Sequence, residues 1–146
     1  KLGLARQLGA TATYNAADPD CVDAIRAATG GGVDYAFEMA GSTKALDLGY
    51  QLLIRGGGVV SAGLPPASAT FEINQAGMVG DEKSIRGSYM GSCVPPRDVP
   101  AFIELYRQGR LPIDRLNSGT LPLEQINEGF DRLADVAAVR QIVVFE

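Results

Sequence analysis

Strand and helix signals alternate along the whole chain, and this alternation limits the possible folds more than any other feature. Apolar, β-branched or alternating runs predict strands at 11–14, 33–39, 59–62, 69–73, 84–90 and 141–145. Helical spacing of apolar residues predicts helices between them, including 98–108 and 123–134. Strands joined through helices form right-handed βαβ units, so the chain is predicted to be α/β with a mainly parallel sheet.

Small residues lie at or near the carboxyl ends of three of these predicted strands, at 40–42, 62–64 and 87–88. In open parallel sheets, ligands bind beyond the carboxyl ends of the strands. Small side chains let a ligand approach the main chain closely. Ser42 is also placed to begin a helix, where unpaired N–H groups favour an anion. The same residues suit ordinary turns, so both interpretations stay open at this point.

Two glycine triplets, at 30–32 and 56–58, have the composition of a phosphate-binding loop but not its position. Each follows a predicted helix and precedes a predicted strand, whereas the dinucleotide fingerprint follows a strand and begins a helix. We therefore interpret the first triplet as a helix stop and the second as a tight turn into a strand.

Few residues of the chain are suited to catalysis. Histidine is absent, which removes the usual general base and the commonest zinc ligand. Cys93 has no histidine to activate it and is interpreted as a structural or incidental thiol rather than a nucleophile. Glu38 lies with Tyr35 and Phe37 in a strand predicted to be buried, so its carboxylate requires a partner or exposure to solvent. We predict no catalytic residue and no metal ligand.

Composition excludes several classes of partner. The 146 residues have the length of one domain, carry a net charge of −4 and contain no cluster of lysine and arginine, so nucleic acid is not expected. No apolar run approaches the roughly 18–20 residues that cross a bilayer, so no membrane association is expected. Cys21 and Cys93 suggest no disulfide framework, which favours a cytoplasmic protein. Because the chain starts at Lys1, inside a predicted helix, we expect a fragment.

Several stretches occur in a fixed order along the chain: KLGLARQLGAT at 1–11, GGVDYAFEMAGS at 31–42, GGVVSAGLPP at 57–66, IRGSYMGS at 85–92, LPLEQINEGFDRL at 121–133 and VRQIVVF at 139–145. In this order and separation they resemble the cofactor-binding domain of medium-chain dehydrogenases, chiefly the zinc-dependent alcohol dehydrogenases. The most specific portion is INEGFDRL followed by VRQIVVF. The resemblance implies that residues 1–146 are a partial dinucleotide-binding domain.

The resemblance also implies roles for individual residues around NAD or NADP. Lys1 corresponds to a basic residue near the adenosine ribose, and Arg140 to an arginine near the pyrophosphate, a role that suits the guanidinium fork. The remaining implied contacts are Met39, Ala40 and Gly41 beside the adenine, Ala62, Gly63 and Leu64 at the nicotinamide, and Ser88 and Met90 at its carboxamide.

The implied reaction is hydride transfer between an alcohol or aldehyde and the nicotinamide ring. In zinc-type relatives a Zn²⁺ ion polarises the substrate oxygen, and its ligands lie in a separate catalytic domain that these residues do not include. The chain on its own is expected to bind the cofactor weakly or not at all, and to have no dehydrogenase activity.

The fold that the resemblance implies is a doubly wound, Rossmann-like sheet with strand order 3-2-1-4-5-6. The chain offers strands three to six, so the predicted strand at 11–14 lacks its neighbours and has an open edge. The strand at 69–73 resembles the one that pairs subunits in the family. Both features favour a homo-oligomer, a dimer or larger.

Three other interpretations remain open from the sequence. A zinc-free quinone reductase of the same superfamily shares the cofactor fold. A non-catalytic fragment that assembles with itself would need neither metal ligands nor a glycine-rich loop. Another doubly wound binder, such as a methyltransferase, is disfavoured by the ordered stretches and by Arg140.

Overall fold

The computed structural model describes residues 1–134 and 138–145 as alternating helices and strands. In chain order the helices are α1 (Leu2–Gln7), α2 (Cys21–Ala28), α3 (Thr43–Gln51), α4 (Gln75–Gly80), α5 (Pro95–Arg107) and α6 (Ile126–Ala134). The strands are β1 (Val33–Glu38), β2 (Leu53–Ser61), β3 (Ser84–Gly87), β4 (Asn117–Pro122) and β5 (Arg140–Val144). Short 3-10 turns lie at Tyr89–Ser92, Ile113–Leu116 and Leu123–Gln125. No described helix has the length and apolar character needed to cross a bilayer.

The chain divides into two units, and the first is built from Tyr14–Cys93. Its sheet has the order β1-β2-β3, and both strand pairs are parallel. Helix α3 packs on one face, where Gly49 lies against the side chains of Ala36 and Val59. Val59 is only 1% exposed, so the core of this unit lies between α3 and the middle of the sheet.

The other face of β1 differs from the prediction. Tyr35 and Phe37 were expected to be buried, but they are 71% and 68% exposed. Successive side chains of a strand point to opposite faces, so Ala36 and Glu38 lie on the α3 side while Tyr35 and Phe37 point away from it. The pattern of apolar residues identified the strand correctly but not which face is covered.

The second unit contains Lys1–Thr13 and Val94–Glu146. Its strands β4 and β5 pair in parallel, and α6 packs on them through Gly129, which lies close to the side chain of Leu121. The Gln141 side chain donates a hydrogen bond of 2.7 Å to the Gly129 carbonyl. Strand β4 was not predicted, because its sequence NSGTLP is rich in residues that strands disfavour; pairing with β5 decides its conformation.

Two predicted strands are wrong. Residues 11–14 and 69–73 adopt no strand conformation. In the first segment the Arg6 side chain bonds to the Thr13 hydroxyl at 2.8 Å, and in the second Phe71 packs edge-on against Tyr50 at 6.2 Å between ring centroids. A short run with strand propensity forms no strand without a partner to complete its hydrogen bonds. The subunit pairing implied for 69–73 stays a prediction.

The second glycine triplet is also placed differently from the prediction. Gly56, Gly57 and Gly58 lie inside β2, which starts at Leu53 rather than at Val59. Val33 pairs with Leu53, but Tyr35 pairs with Gly58, so β2 carries a bulge opposite β1 at this point. The triplet therefore allows β2 to loop out while it remains in the sheet.

Candidate functional site

The candidate site lies at the carboxyl ends of β1, β2 and β3. Glu38 pairs with Ser61, and Ser61 with Gly87, so these strands end at the same level of the sheet. The segments that follow them were predicted from the sequence to bind a ligand. The structure brings eight of the predicted residues to this edge: Met39, Ala40, Gly41, Ala62, Gly63, Leu64, Ser88 and Met90.

The first two of these segments touch through their main chains. Gly41 has a φ of +67°, a left-handed backbone conformation that glycine adopts more readily than other residues. A Cβ atom on Gly41 would lie 2.7 Å from the Leu64 carbonyl oxygen, and one on Gly63 would overlap the main-chain nitrogen of Gly41. Both positions therefore need glycine for this close approach.

Glu38 connects the same two segments through hydrogen bonds to their main chains. Its side chain is 5% exposed, and Oε1 accepts hydrogen bonds from the main-chain N–H groups of Ala40 at 2.6 Å and Ser42 at 3.3 Å. Oε2 accepts from the Ser61 hydroxyl at 3.1 Å. The Glu38 carbonyl accepts from the N–H groups of Ala62 and Gly63 at 2.8 and 3.1 Å. The sequence required a partner for this carboxylate, and the structure supplies several.

The ionised form of Glu38 is favoured by its surroundings. Burial raises the pKa of the carboxyl group, but hydrogen bonds from the N–H groups of Ser42, Ala40 and Gly41 and from the Ser61 hydroxyl outweigh it and hold the pKa below its usual value. Glu38 is thus a buried carboxylate stabilised mainly by main-chain donors.

This arrangement bears on the anion interpretation that the sequence left open at Ser42. Ser42 does begin α3, and its hydroxyl accepts from the Ala45 N–H at 3.4 Å. The negative charge at this helix start, however, is the carboxylate of Glu38. Because the N–H groups of 40 and 42 already bond to it, this corner of the edge suits hydrogen-bond donors of a ligand better than a phosphate.

The third segment has an unusual backbone. The Ser88 N–H donates to the Ser61 carbonyl at 2.9 Å and continues the β2–β3 pairing. Met90 and Ser92 then adopt left-handed conformations, with φ of 49° and 56°. A residue other than glycine in this conformation carries backbone strain on the order of 1 kcal/mol or more. In proteins generally, residues strained in this way cluster at functional sites. Met90 is 63% exposed at this edge.

Lys1 and Arg140 belong to the other unit. Lys1 precedes α1 and is exposed. Arg140 begins β5 and is exposed, and its main-chain N–H lies 3.4 Å from the Ser118 hydroxyl. Their roles stay predictions.

Sequence reasoning did not predict that Glu38 and Ser61 bond to each other across the strand ends. The available signal was a single acidic residue at the end of an apolar strand, directly before a small-residue turn. Among residues 1–134 and 138–145, no three His, Cys, Asp or Glu side chains are placed to hold a metal ion.

A parallel sheet with helices between its strands and small-residue segments at the strand ends is typical of open α/β domains, whose ligands bind at those ends. The model of the zinc-binding dehydrogenase family matches residues 1–108, and the chain belongs to that family. It is 28% identical over 145 residues to alcohol dehydrogenase 1 of Zea mays. This alignment covers 97% of this chain and 38% of the relative. The chain thus spans about two fifths of the length of the curated relatives that it matches.

Solved structures agree in fold. Benzyl alcohol dehydrogenase from Acinetobacter calcoaceticus superposes with a TM-score of 0.92 at 31% identity, over 99% of this chain and 40% of that chain. A Sinorhizobium meliloti protein assigned to the zinc-binding dehydrogenases and bound to NADP superposes with a TM-score of 0.86 at 28% identity, over 99% and 42%. The predicted resemblance to zinc-type alcohol dehydrogenases and the predicted α/β, Rossmann-like fold are confirmed.

Proposed function

We propose that this chain forms part of the NAD(P) site of an alcohol dehydrogenase. The observation that carries the proposal is the meeting of three small-residue segments at the carboxyl ends of adjacent parallel strands. Ligands of open α/β sheets bind at this edge. The NADP carried by the Sinorhizobium meliloti protein supports a nicotinamide dinucleotide as the ligand here.

The hydrogen-bonding groups at this edge fit the adenine and nicotinamide rings at the two ends of such a cofactor. Since the N–H groups of residues 40, 42, 62 and 63 bond to Glu38, we infer that carbonyl oxygens and exposed side chains meet the ligand. The adenine amine and the nicotinamide carboxamide both offer N–H donors that carbonyls can accept. We assign Met39, Ala40 and Gly41 to the adenine, and Ala62, Gly63, Leu64, Ser88 and Met90 to the nicotinamide.

The charged part of the cofactor is assigned to Arg140 and Lys1. Arg140 is proposed to bind the pyrophosphate, because a guanidinium group matches phosphate oxygens with paired N–H donors. Lys1 is proposed to lie near the adenosine ribose. No glycine-rich loop of the G-x-G-x-x-G kind follows a strand in these residues, so we propose that the 146-residue chain alone binds the cofactor weakly.

The whole-protein reaction is proposed to be hydride transfer between an alcohol or aldehyde and the nicotinamide ring. When bound, the nicotinamide cofactor would supply the hydride chemistry, and residues 62–64, Ser88 and Met90 of this chain would orient its ring. Among residues 1–134 and 138–145 there is no group of metal ligands, and we propose no zinc ligand there. Neither the quinone reductase nor the self-assembling alternative is favoured by the relatives, which include alcohol dehydrogenases from several organisms.

Self-association is also part of the proposal. In the described residues β1 and β3 are the outer strands of their sheet, and the main-chain groups of outer strands can pair with another chain. Sedimentation velocity of the full-length gene product should show a dimer or a larger species, and a monomer at micromolar concentration would contradict this.

The cofactor site can be tested by binding and hydrogen exchange together. The full-length gene product should quench or shift the fluorescence of NADH or NADPH, and the bound cofactor should slow amide exchange in 39–42, 62–64 and 88–92. Helix α2 serves as the internal control and should be unaffected. Binding without protection of these three segments, or no binding of either cofactor, would refute the assignment.

A further inference from the structure

We infer that Glu38 is a positioning residue of this site, whose carboxylate fixes the two segments that hold the rings of the cofactor. The inference rests on the proposed function and deepens it. Glu38 itself lies beneath the segments and is buried, so it acts through the main chain around it rather than by touching the cofactor.

The geometry places Glu38 between the segments. Its side chain receives the N–H groups of Ala40 and Ser42, while its carbonyl receives those of Ala62 and Gly63. The bond from the Ser61 hydroxyl ties the carboxylate to the end of β2, 23 residues further along the chain. One residue therefore sets the main-chain orientation of both segments, which also touch each other at Gly41 and Gly63.

The reach of the side chain matters more than its charge. Oε1 needs to accept from two main-chain donors, and an amide oxygen in the same place can also accept from both. At the Oε2 position an amide nitrogen can donate to the Ser61 hydroxyl, which rotates to accept. Glutamine therefore preserves the connections. Aspartate keeps the charge, but it is shorter by one methylene and cannot reach the same donors from the same backbone.

The resulting contrast separates positioning from a charge effect. In the full-length gene product, Glu38→Asp should weaken NADH binding about tenfold, because the donors of 40–42 turn away from their present orientation. Glu38→Gln should keep the affinity for NADH within about threefold of the wild type. Asp34→Asn is the matched control, since Asp34 is an exposed carboxylate of the same strand, and it should bind as the wild type does.

Affinity is measured by fluorescence titration below the melting temperature of every variant, so that only folded protein is compared. Wild-type affinity in folded Glu38→Asp would overturn the inference. An affinity of Glu38→Gln that falls outside the expected range would also overturn it. Should Glu38→Asp not fold, Ser61→Ala decides, because it removes only the bond to Oε2; a roughly threefold weaker affinity supports the inference and an unchanged affinity overturns it. If the wild type binds neither NADH nor NADPH, the proposed function itself has failed.

Discussion

Replacing Gly63 with alanine should disturb cofactor binding more than its size suggests. The added Cβ atom would overlap the main-chain nitrogen of Gly41 and would lie 2.6 Å from the Gly41 Cα and 2.9 Å from the Ala40 carbonyl carbon. All three neighbours are backbone atoms, so relief requires the 40–42 turn to move by something close to 1 Å. Overpacking of this kind costs about 1–3 kcal/mol of stability, and misplacement of a site by about 1 Å can reduce its activity on the order of a hundredfold.

We expect Gly63→Ala to raise the Kd for NADH at least tenfold, which corresponds to about 1.4 kcal/mol. Fluorescence titration of the full-length gene product measures this, and thermal denaturation reports the loss of stability. Gly80→Ala is the control, because a Cβ on Gly80 would meet no atom within 4 Å. Wild-type affinity and melting temperature in Gly63→Ala would show that the two segments are not held in contact, and the site geometry would have to be abandoned.

Three further outcomes are expected. Ser42→Ala removes the side chain that accepts from the Ala45 N–H and should lower the free energy of unfolding in urea by about 1 kcal/mol, whereas Ser68→Ala, at an exposed turn, should leave it unchanged. The pKa of Glu38 is lowered in the folded state, so its stabilising contribution is complete above the pKa of the unfolded chain and is lost as pH falls through the folded pKa. Urea unfolding across acidic pH should therefore show a steeper loss of stability in the wild type than in Glu38→Gln, and parallel curves would contradict this. The purified 146-residue chain should form no NADH from NAD and an alcohol, and sustained formation that follows the chain through purification would refute the proposed need for further residues.

The sequence was sufficient to predict the main elements at this edge of the sheet. Strand 33–39, the helix that begins after Ser42 and the small-residue segments at 40–42 and 62–64 each have a local signal that the structure reproduces. The carboxyl ends of parallel strands meet at one edge for geometric reasons, so the placement of the site followed from the fold class.

The remaining features depend on partners that are distant in the sequence. Glu38 and Ser61 are 23 residues apart, and no local pattern pairs them. Strand β4 forms against β5 although its composition disfavours a strand. The opposite error occurred at 11–14 and 69–73. A strand was predicted there from local propensity, but neither segment pairs with another strand among the described residues. The presence of a pairing partner at β4, and its absence at 11–14 and 69–73, overrode the local preference.

The bulge in β2 separates a part of the strand whose length can vary from a part whose length cannot. Between Leu53 and Gly58 the chain loops out against only Val33 to Tyr35, so a residue gained or lost there can be absorbed locally. Beyond Val59 the pairing is regular, and a single added residue would turn each following side chain to the other face. Ser61 would then point away from Glu38. Homologous chains that differ in length at this strand can therefore keep the same site only if the difference falls before Gly58.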